Sequence, residues 1–412
     1  MKKKFKIAYV HMGSDKTGST TLQSFMDKNR GLHESVYGIC YAPEIWHARF
    51  ASFFSGSDRN FIHNVESELV DEKEIIPLDR EYMCSLENYI MEIDKSNVMV
   101  FSYEGFHCLT VNGLFKLKNY LLQLADQVKL IYYVRSPCSY AISGMSQYIR
   151  SGRAVNDHPP VQPYKNYLSK FQEVFSKDEI VLKKFSRNDL YMNDIVPDFL
   201  KILNESYNYS NYLSNKKTEN GSLSGLACFV GNRVIKKYFS SDPRKDHSPF
   251  ELGRRLLPHL LNIKGDKLKL TPVQFNNVLT NSQESTDYIK NEFALDLNED
   301  QIKFIYSAEE LSEINSNIFQ SKVDSMASRI LKFITMAEGN IKEKVHLNID
   351  SVSFNDIKNN QDIDFLRDEA VAFENSDLNK AYKLMQLAYK ARPEGPFIKA
   401  KFMEYRARLS KG

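Results

Sequence analysis

Three polar clusters in the first third of the chain bring together residue types that handle anions and protons. The first is Lys6-Ile7-Ala8-Tyr9-Val10-His11-Met12-Gly13-Ser14-Asp15-Lys16-Thr17-Gly18-Ser19-Thr20-Thr21-Leu22-Gln23. It reads as a buried strand, a tight turn and the opening of a helix. Gly13 and Gly18 let backbone N–H groups turn inward where a side chain would block them. Ser19, Thr20 and Thr21 can cap the helix that continues through Leu22, Phe25 and Met26. Unsatisfied N–H groups, a helix dipole and the cation of Lys16 make an anion cradle. The second cluster is the carboxylate of Glu104, and the third is Arg135, which precedes Ser136-Pro137 and, eight positions on, Ser143.

Those residues need a scaffold that delivers them to one place. Asn97-Val98-Met99-Val100-Phe101-Ser102-Tyr103 and Gln127-Val128-Lys129-Leu130-Ile131-Tyr132-Tyr133-Val134 are further apolar strands. Helical spacing marks 81–95 and 114–124 between them, and the connection 29–60 reads as irregular and aromatic-rich. The alternation predicts a mainly parallel α/β sheet with helices on both faces. Ligands of such sheets sit beyond the carboxyl ends of the strands. Each of the three strands is followed there by one reactive side chain: Lys16, Glu104 or Arg135.

The loop is not Gly-x-x-x-x-Gly-Lys-Ser/Thr, because Lys16 precedes Gly18. The order Lys16-Thr17-Gly18-Ser19-Thr20 resembles the 5′-phosphosulfate loop of sulfotransferases that use 3′-phosphoadenosine 5′-phosphosulfate (PAPS). His11-x-Gly13-x-x-Lys16-Thr17-Gly18, with Leu22-Gln23 after it, is similar to the bacterial carbohydrate-type branch. Arg135 with Ser143 resembles the 3′-phosphate site of the same family, and helix 164–175, strand 179–182 and helix 198–203 resemble the elements that close its sheet. The resemblance covers residues 5–225 and implies a P-loop-type fold that binds PAPS and releases 3′,5′-ADP. Lys16, Thr17, Gly18, Ser19, Thr20, Thr21, Arg135 and Ser143 would hold the nucleotide, with no metal required. Lys16 would also serve catalysis, and the base would be Glu104 or His11, with His107 a weaker candidate. A saccharide or glycan hydroxyl is the implied acceptor. The tryptophan that stacks adenine in small-molecule sulfotransferases is replaced by Thr21, so adenine contacts must come from elsewhere.

The 412-residue chain carries a net charge of only +3, too little for a nucleic-acid-binding protein, and its five cysteines form no Cys-x-x-Cys pair. No apolar run is long enough to span a membrane and Met1-Lys2-Lys3-Lys4 leads straight into a strand, which together point to a cytoplasmic protein. The expected division is an α/β domain over 1–350, with a nucleotide core at 5–225 and a helical region at 226–350, followed by a tail over 351–412. In that tail 365–373 and 378–392 resemble a single tetratricopeptide-like hairpin, a surface for a protein partner. Asn215-Lys216-Lys217 and Arg244-Lys245 are weak candidates for a late phosphate contact, and Asn220-Gly221-Ser222-Leu223-Ser224 resembles a segment of bacterial relatives. Two other readings of the same residues are a kinase-like phosphotransferase and a non-catalytic binding module that works through the tail.

Overall fold

The computed structural model describes residues 3–67, 69, 71–93, 96–209, 222–241, 249–298, 302–338, 360–375 and 377–410. They form two compact units that interleave along the chain. Unit one comprises Met1–Gly144, Pro160–Gly221 and Val273–Phe304; unit two comprises Met145–Pro159, Ser222–Pro272 and Ile305–Gly412. The division expected near residue 350 and the basic segments Asn215-Lys216-Lys217 and Arg244-Lys245 lie outside the described residues, as do Asn220 and Gly221.

Unit one is built on a sheet of five parallel strands: β1 (Phe5–His11), β2 (Ile39–Tyr41), β3 (Val98–Ser102), β4 (Ala125–Val134) and β5 (Ile180–Lys184), in the order β2-β3-β1-β4-β5. The helices that connect and follow them are α1 (Ser19–Lys28), α2 (Arg30–Tyr37), α3 (Ala48–Ser55), α4 (Ile62–Glu66), α5 (Glu72–Glu92), α6 (Val111–Leu124), α7 (Pro137–Arg150), α8 (Tyr164–Gln172) and α9 (Ile195–Leu203). All strands parallel means every connection crosses over, and the helices cover both faces. One face buries Val10, Phe101, Leu130 and Tyr132 with Leu86, Leu117 and Phe171. The other buries Tyr9, Val100, Ile131 and Tyr133 with Leu22, Met26, Phe199 and Leu200. Alternate residues of β1 and β4 go to opposite cores, as strand periodicity requires.

The connection 29–60 is the main departure from the sequence reading, because it folds into α2, β2 and α3. Gly38, at φ 62°, ends α2 in the left-handed conformation, its N–H bonding back to Glu34 O. The next three residues then pair with β3, Ile39 opposite Val98 and Tyr41 opposite Val100. A strand of three residues has too few positions to show a period, so only pairing with β3 defines it.

Unit two holds α10 (Gly225–Ser241), α11 (Pro249–Leu261), α13 (Ala308–Asn315), α14 (Asn317–Glu338), α15 (Asn360–Phe373), α16 (Leu378–Ala391) and α17 (Pro396–Leu409); α12 (Pro272–Phe293) lies between α11 and α13 in the chain and belongs mainly to unit one. Ser224 caps α10, its Oγ accepting from the Ala227 N–H and donating to Ile263 O. That gives the last serine of the Asn220–Ser224 segment a physical role. In the tail, α15 and α16 pack as a hairpin around Leu366, Ala370, Ala381, Leu384, Met385 and Ala388. The hairpin read from the sequence ends at Pro393, within the tail expected over 351–412; α17 follows, with Pro396 at its first turn and Ile398, Phe402 and Tyr405 added to that core. Among the described residues no helix is long and apolar enough to cross a membrane.

Candidate functional site

The strand order puts β1 between β3 and β4, with His11 opposite Ser102 on one side and Ile131 on the other. The three strand ends that precede Lys16, Glu104 and Arg135 are therefore neighbours, at the point where connections diverge to the two sides of β1. All the geometry that follows belongs to unit one.

The loop from Met12 to Gly18 is built from unusual backbone. Gly13, Lys16 and Gly18 have φ of 31°, 65° and 80°. Thr17 Oγ1 donates to Ser14 O at 2.6 Å and ties the turn to itself. Gly18 caps α1 without any side-chain hydrogen bond, so the first N–H groups of that helix are left for a ligand. Ser14, Thr17 and Ser19 are buried, while Thr20 and Thr21 are exposed. A Cβ placed on Gly13 would come 2.7 Å from Ser19 Oγ, 3.3 Å from Glu104 Cγ and 3.4 Å from His11 Cε1. The Ser19 hydroxyl, the Glu104 methylene and the His11 imidazole thus surround one small space that glycine leaves open. Ser19 Oγ is buried there, facing the Glu104 carboxyl.

Glu104 opens a short 3₁₀ turn directly after β3. Burial, and next the Asp15 carboxylate, push its pKa from the ordinary 4.5 up to about 6, while the nearby Ser19 hydroxyl and the Lys16 ammonium pull it back down. His11 behaves differently. It is buried, its Nδ1 shares a 2.8 Å hydrogen bond with Ser102 Oγ, and its ring stands edge-on to Phe199 at 5.3 Å. Burial lowers its pKa to about 3, so the imidazole is neutral, and Nε2 has no partner. His107 packs on Tyr167 at 4.5 Å, and burial lowers its pKa too.

Arg135 reaches back to the loop. Its Nη1 donates to Lys16 O at 2.9 Å, its Nε donates to Ser139 Oγ at 2.7 Å, and the guanidinium lies 5.6 Å over the Phe185 ring. Its N–H donates to Tyr164 Oη at 2.9 Å, and that hydroxyl also stands 3.4 Å from Ser14 Oγ. One arginine and one tyrosine therefore join the two sequence clusters. Ser143 lies two helical turns along α7, partly buried; the serine that meets the guanidinium is Ser139. Beside Arg135 opens a cleft of about 290 Å³, lined by Ser136 and Cys138 at the start of α7, Gln283 and Lys290 on α12, and Asn298. Ser136 Oγ is buried without a hydrogen-bond partner.

Sequence reasoning missed Asp15, Ser139 and Phe185. Asp15 was visible inside the loop, but its effect on Glu104 and His107 depends on the sheet. Ser139 carried a usable signal, since i and i+4 share a helix face. Phe185 had none: it comes to Gly18 and Arg135 only because β5 pairs with β4. Among the described residues no group of three or more His, Cys, Asp or Glu side chains is placed to hold a metal ion. No protein-family model matches the chain, and no curated protein matches it.

Proposed function

We propose that this chain is a PAPS-dependent sulfotransferase of P-loop type that acts on a hydroxyl of a saccharide acceptor. The observation that carries the reading is the Arg135 guanidinium bonded to Lys16 O, which ties the strand-end arginine to the phosphosulfate-type loop. The residues fit the nucleotide: the positive-φ glycines leave room for an anion, and the buried Ser136 hydroxyl lacks a partner. Bound PAPS would supply an activated sulfuryl group on a phosphate leaving group.

The chain's own part is electrostatic. Lys16, the N–H groups at Gly18–Thr20 and the Ser19 hydroxyl surround the position where negative charge grows on the leaving phosphate. Arg135 serves a second anionic group, with charge-assisted hydrogen bonds from a planar fork that Phe185 supports from one face. Glu104 takes the acceptor proton as the acceptor oxygen bonds to sulfur and the sulfur–phosphate oxygen bond breaks. A pKa of about 6 suits a base that must be ionised near neutral pH yet still attract a proton. His11, at about 3, is too weak a base for that step and instead bonds the Ser102 hydroxyl, which also accepts from Gln23 Nε2.

Calorimetric titration tests the reading with 3′,5′-ADP and with ATP plus magnesium, on wild type, Lys16→Ala and Arg135→Ala. Selective binding of 3′,5′-ADP, lost in Arg135→Ala, is the expected result. Preference for ATP with magnesium would transfer the loop to the kinase-like reading, and absence of either nucleotide would remove the enzymatic one.

A further inference from the structure

The cleft beside Arg135 opens at the carboxyl ends of β4 and β5, where parallel sheets bind their ligands, and its lining belongs to unit one. Ser136 forms one wall, directly after the arginine. Opposite stand α12 and the segment 296–298, which Lys184 at the end of β5 holds by donating to Asn298 O at 3.1 Å. A volume of about 290 Å³ is at the small end for a ligand site, so it suits one ring system and not a chain of sugars.

The polar groups of the cleft divide by what they already bond. Ser282 Oγ donates to Val278 O at 2.7 Å and Thr286 Oγ1 to Gln283 O at 2.9 Å, so both hydroxyl protons are committed to their own helix. Gln283 Nε2 donates to the Asp287 carboxylate at 2.9 Å, which leaves Oε1 as an acceptor. The Asn298 side chain makes no hydrogen bond among the described residues. Ser136 is only 2% exposed, and its Oγ has no partner. A buried hydroxyl left so costs free energy until something completes it.

Charge and shape narrow what that is. Two carboxylates on the rim, Asp287 and Asp296, face the single ammonium of Lys290, 3.9 Å from Asp296, so a further phosphate is disfavoured and an uncharged group is accepted. Leu279, Leu297 and the Phe304 ring offer apolar surface to a flat ring. The uncommitted groups are a hydroxyl donor, an amide oxygen and a whole amide, which match the ring nitrogens and the exocyclic amine of adenine. The helix that carries the loop offers no ring, since Thr21 stands there, exposed.

We propose that this cleft holds the base of the nucleotide, on the α12 side of Arg135, with Gln283 and Asn298 reading the amine of adenine and Ser136 donating to a ring nitrogen. That the ring is adenine rests on the sulfotransferase reading; that it is flat, uncharged and amine-bearing rests on the cleft itself.

The full chain is titrated by calorimetry with 3′,5′-ADP, guanosine 3′,5′-bisphosphate and a base-free ribose 3,5-bisphosphate. Guanine carries an oxygen where adenine carries the amine, so it sets an acceptor against Gln283 Oε1. Wild type should favour 3′,5′-ADP over both others by about tenfold or more. Gln283→Ala combined with Asn298→Ala should bind 3′,5′-ADP about tenfold more weakly and lose the preference for adenine over guanine. It should bind the base-free compound as wild type does, which also shows that it folds. Undiminished 3′,5′-ADP binding in that variant, or equal binding of all three ligands by wild type, would overturn the cleft and leave the sulfotransferase reading in place. Failure of wild type to bind 3′,5′-ADP would remove that reading instead. Adenosine alone, followed by saturation-transfer NMR, then decides the cleft: a signal that the double variant loses keeps it, and any other result removes it. Should the double variant not fold, the two single substitutions decide, each expected to narrow the preference for adenine.

Discussion

Replacing Glu104 by Gln should stabilise the fold while removing the activity, and both effects should follow pH. The carboxyl has a folded-state pKa of about 6 against an ordinary 4.5, raised first by burial and then by Asp15. A raised carboxyl pKa means that the folded protein holds this proton more tightly than the unfolded chain does. Well below pH 4.5 both states are protonated and the group contributes nothing. As pH rises the unfolded chain ionises first, and the folded state is penalised by about 0.8 kcal/mol at pH 5 and about 2 kcal/mol at pH 8. Gln keeps the shape and removes the titration. Glu104→Gln should thus gain about 2 kcal/mol at pH 8 and less than half of that at pH 5, read from urea unfolding midpoints at constant slope. In parallel, sulfuryl transfer from PAPS to a saccharide acceptor should fall by about 10²–10⁴-fold, and the rise of wild-type kcat/KM through pH 6 should disappear. A stability change of equal size at both pH values would refute the electrostatic account of Glu104. Retained activity with an unchanged pH profile would refute its role as base.

Three further outcomes follow from the same geometry. Arg135→Ala should weaken 3′,5′-ADP about 10²-fold by calorimetry, and Arg135→Lys should recover little of it, because a point charge cannot bond Lys16 O and Ser139 Oγ while lying over Phe185. Gly13→Ala, at φ 31° and with its Cβ 2.7 Å from Ser19 Oγ, should lose about 1–3 kcal/mol in urea unfolding and also weaken 3′,5′-ADP. Asp198, buried under bonds from Tyr133 Oη at 2.8 Å and the Tyr191 N–H at 2.9 Å with Lys183 at 3.3 Å, should cost about 3 kcal/mol or more as Asp198→Ala by the same measurement.

What the sequence determined alone was local and periodic. The runs at β1, β3, β4 and β5 and the helical spacing of α5, α6, α8 and α9 were legible because apolar residues recur at the period of the element they form. Strand order was not written in any of those periods, yet it is what brings the ends of β1, β3 and β4 side by side. The loop glycines and Lys16 could be read as an anion cradle from type and spacing, since backbone freedom and charge belong to the residues themselves. The pKa of Glu104, the neutrality of His11, the bond between Ser139 and Arg135 and the exposure of Trp46 could not. Each depends on burial or on a partner distant in sequence, and those are properties of packing: a carboxylate acquires its basicity, and an indole its exposure, only when the surrounding chain is in place.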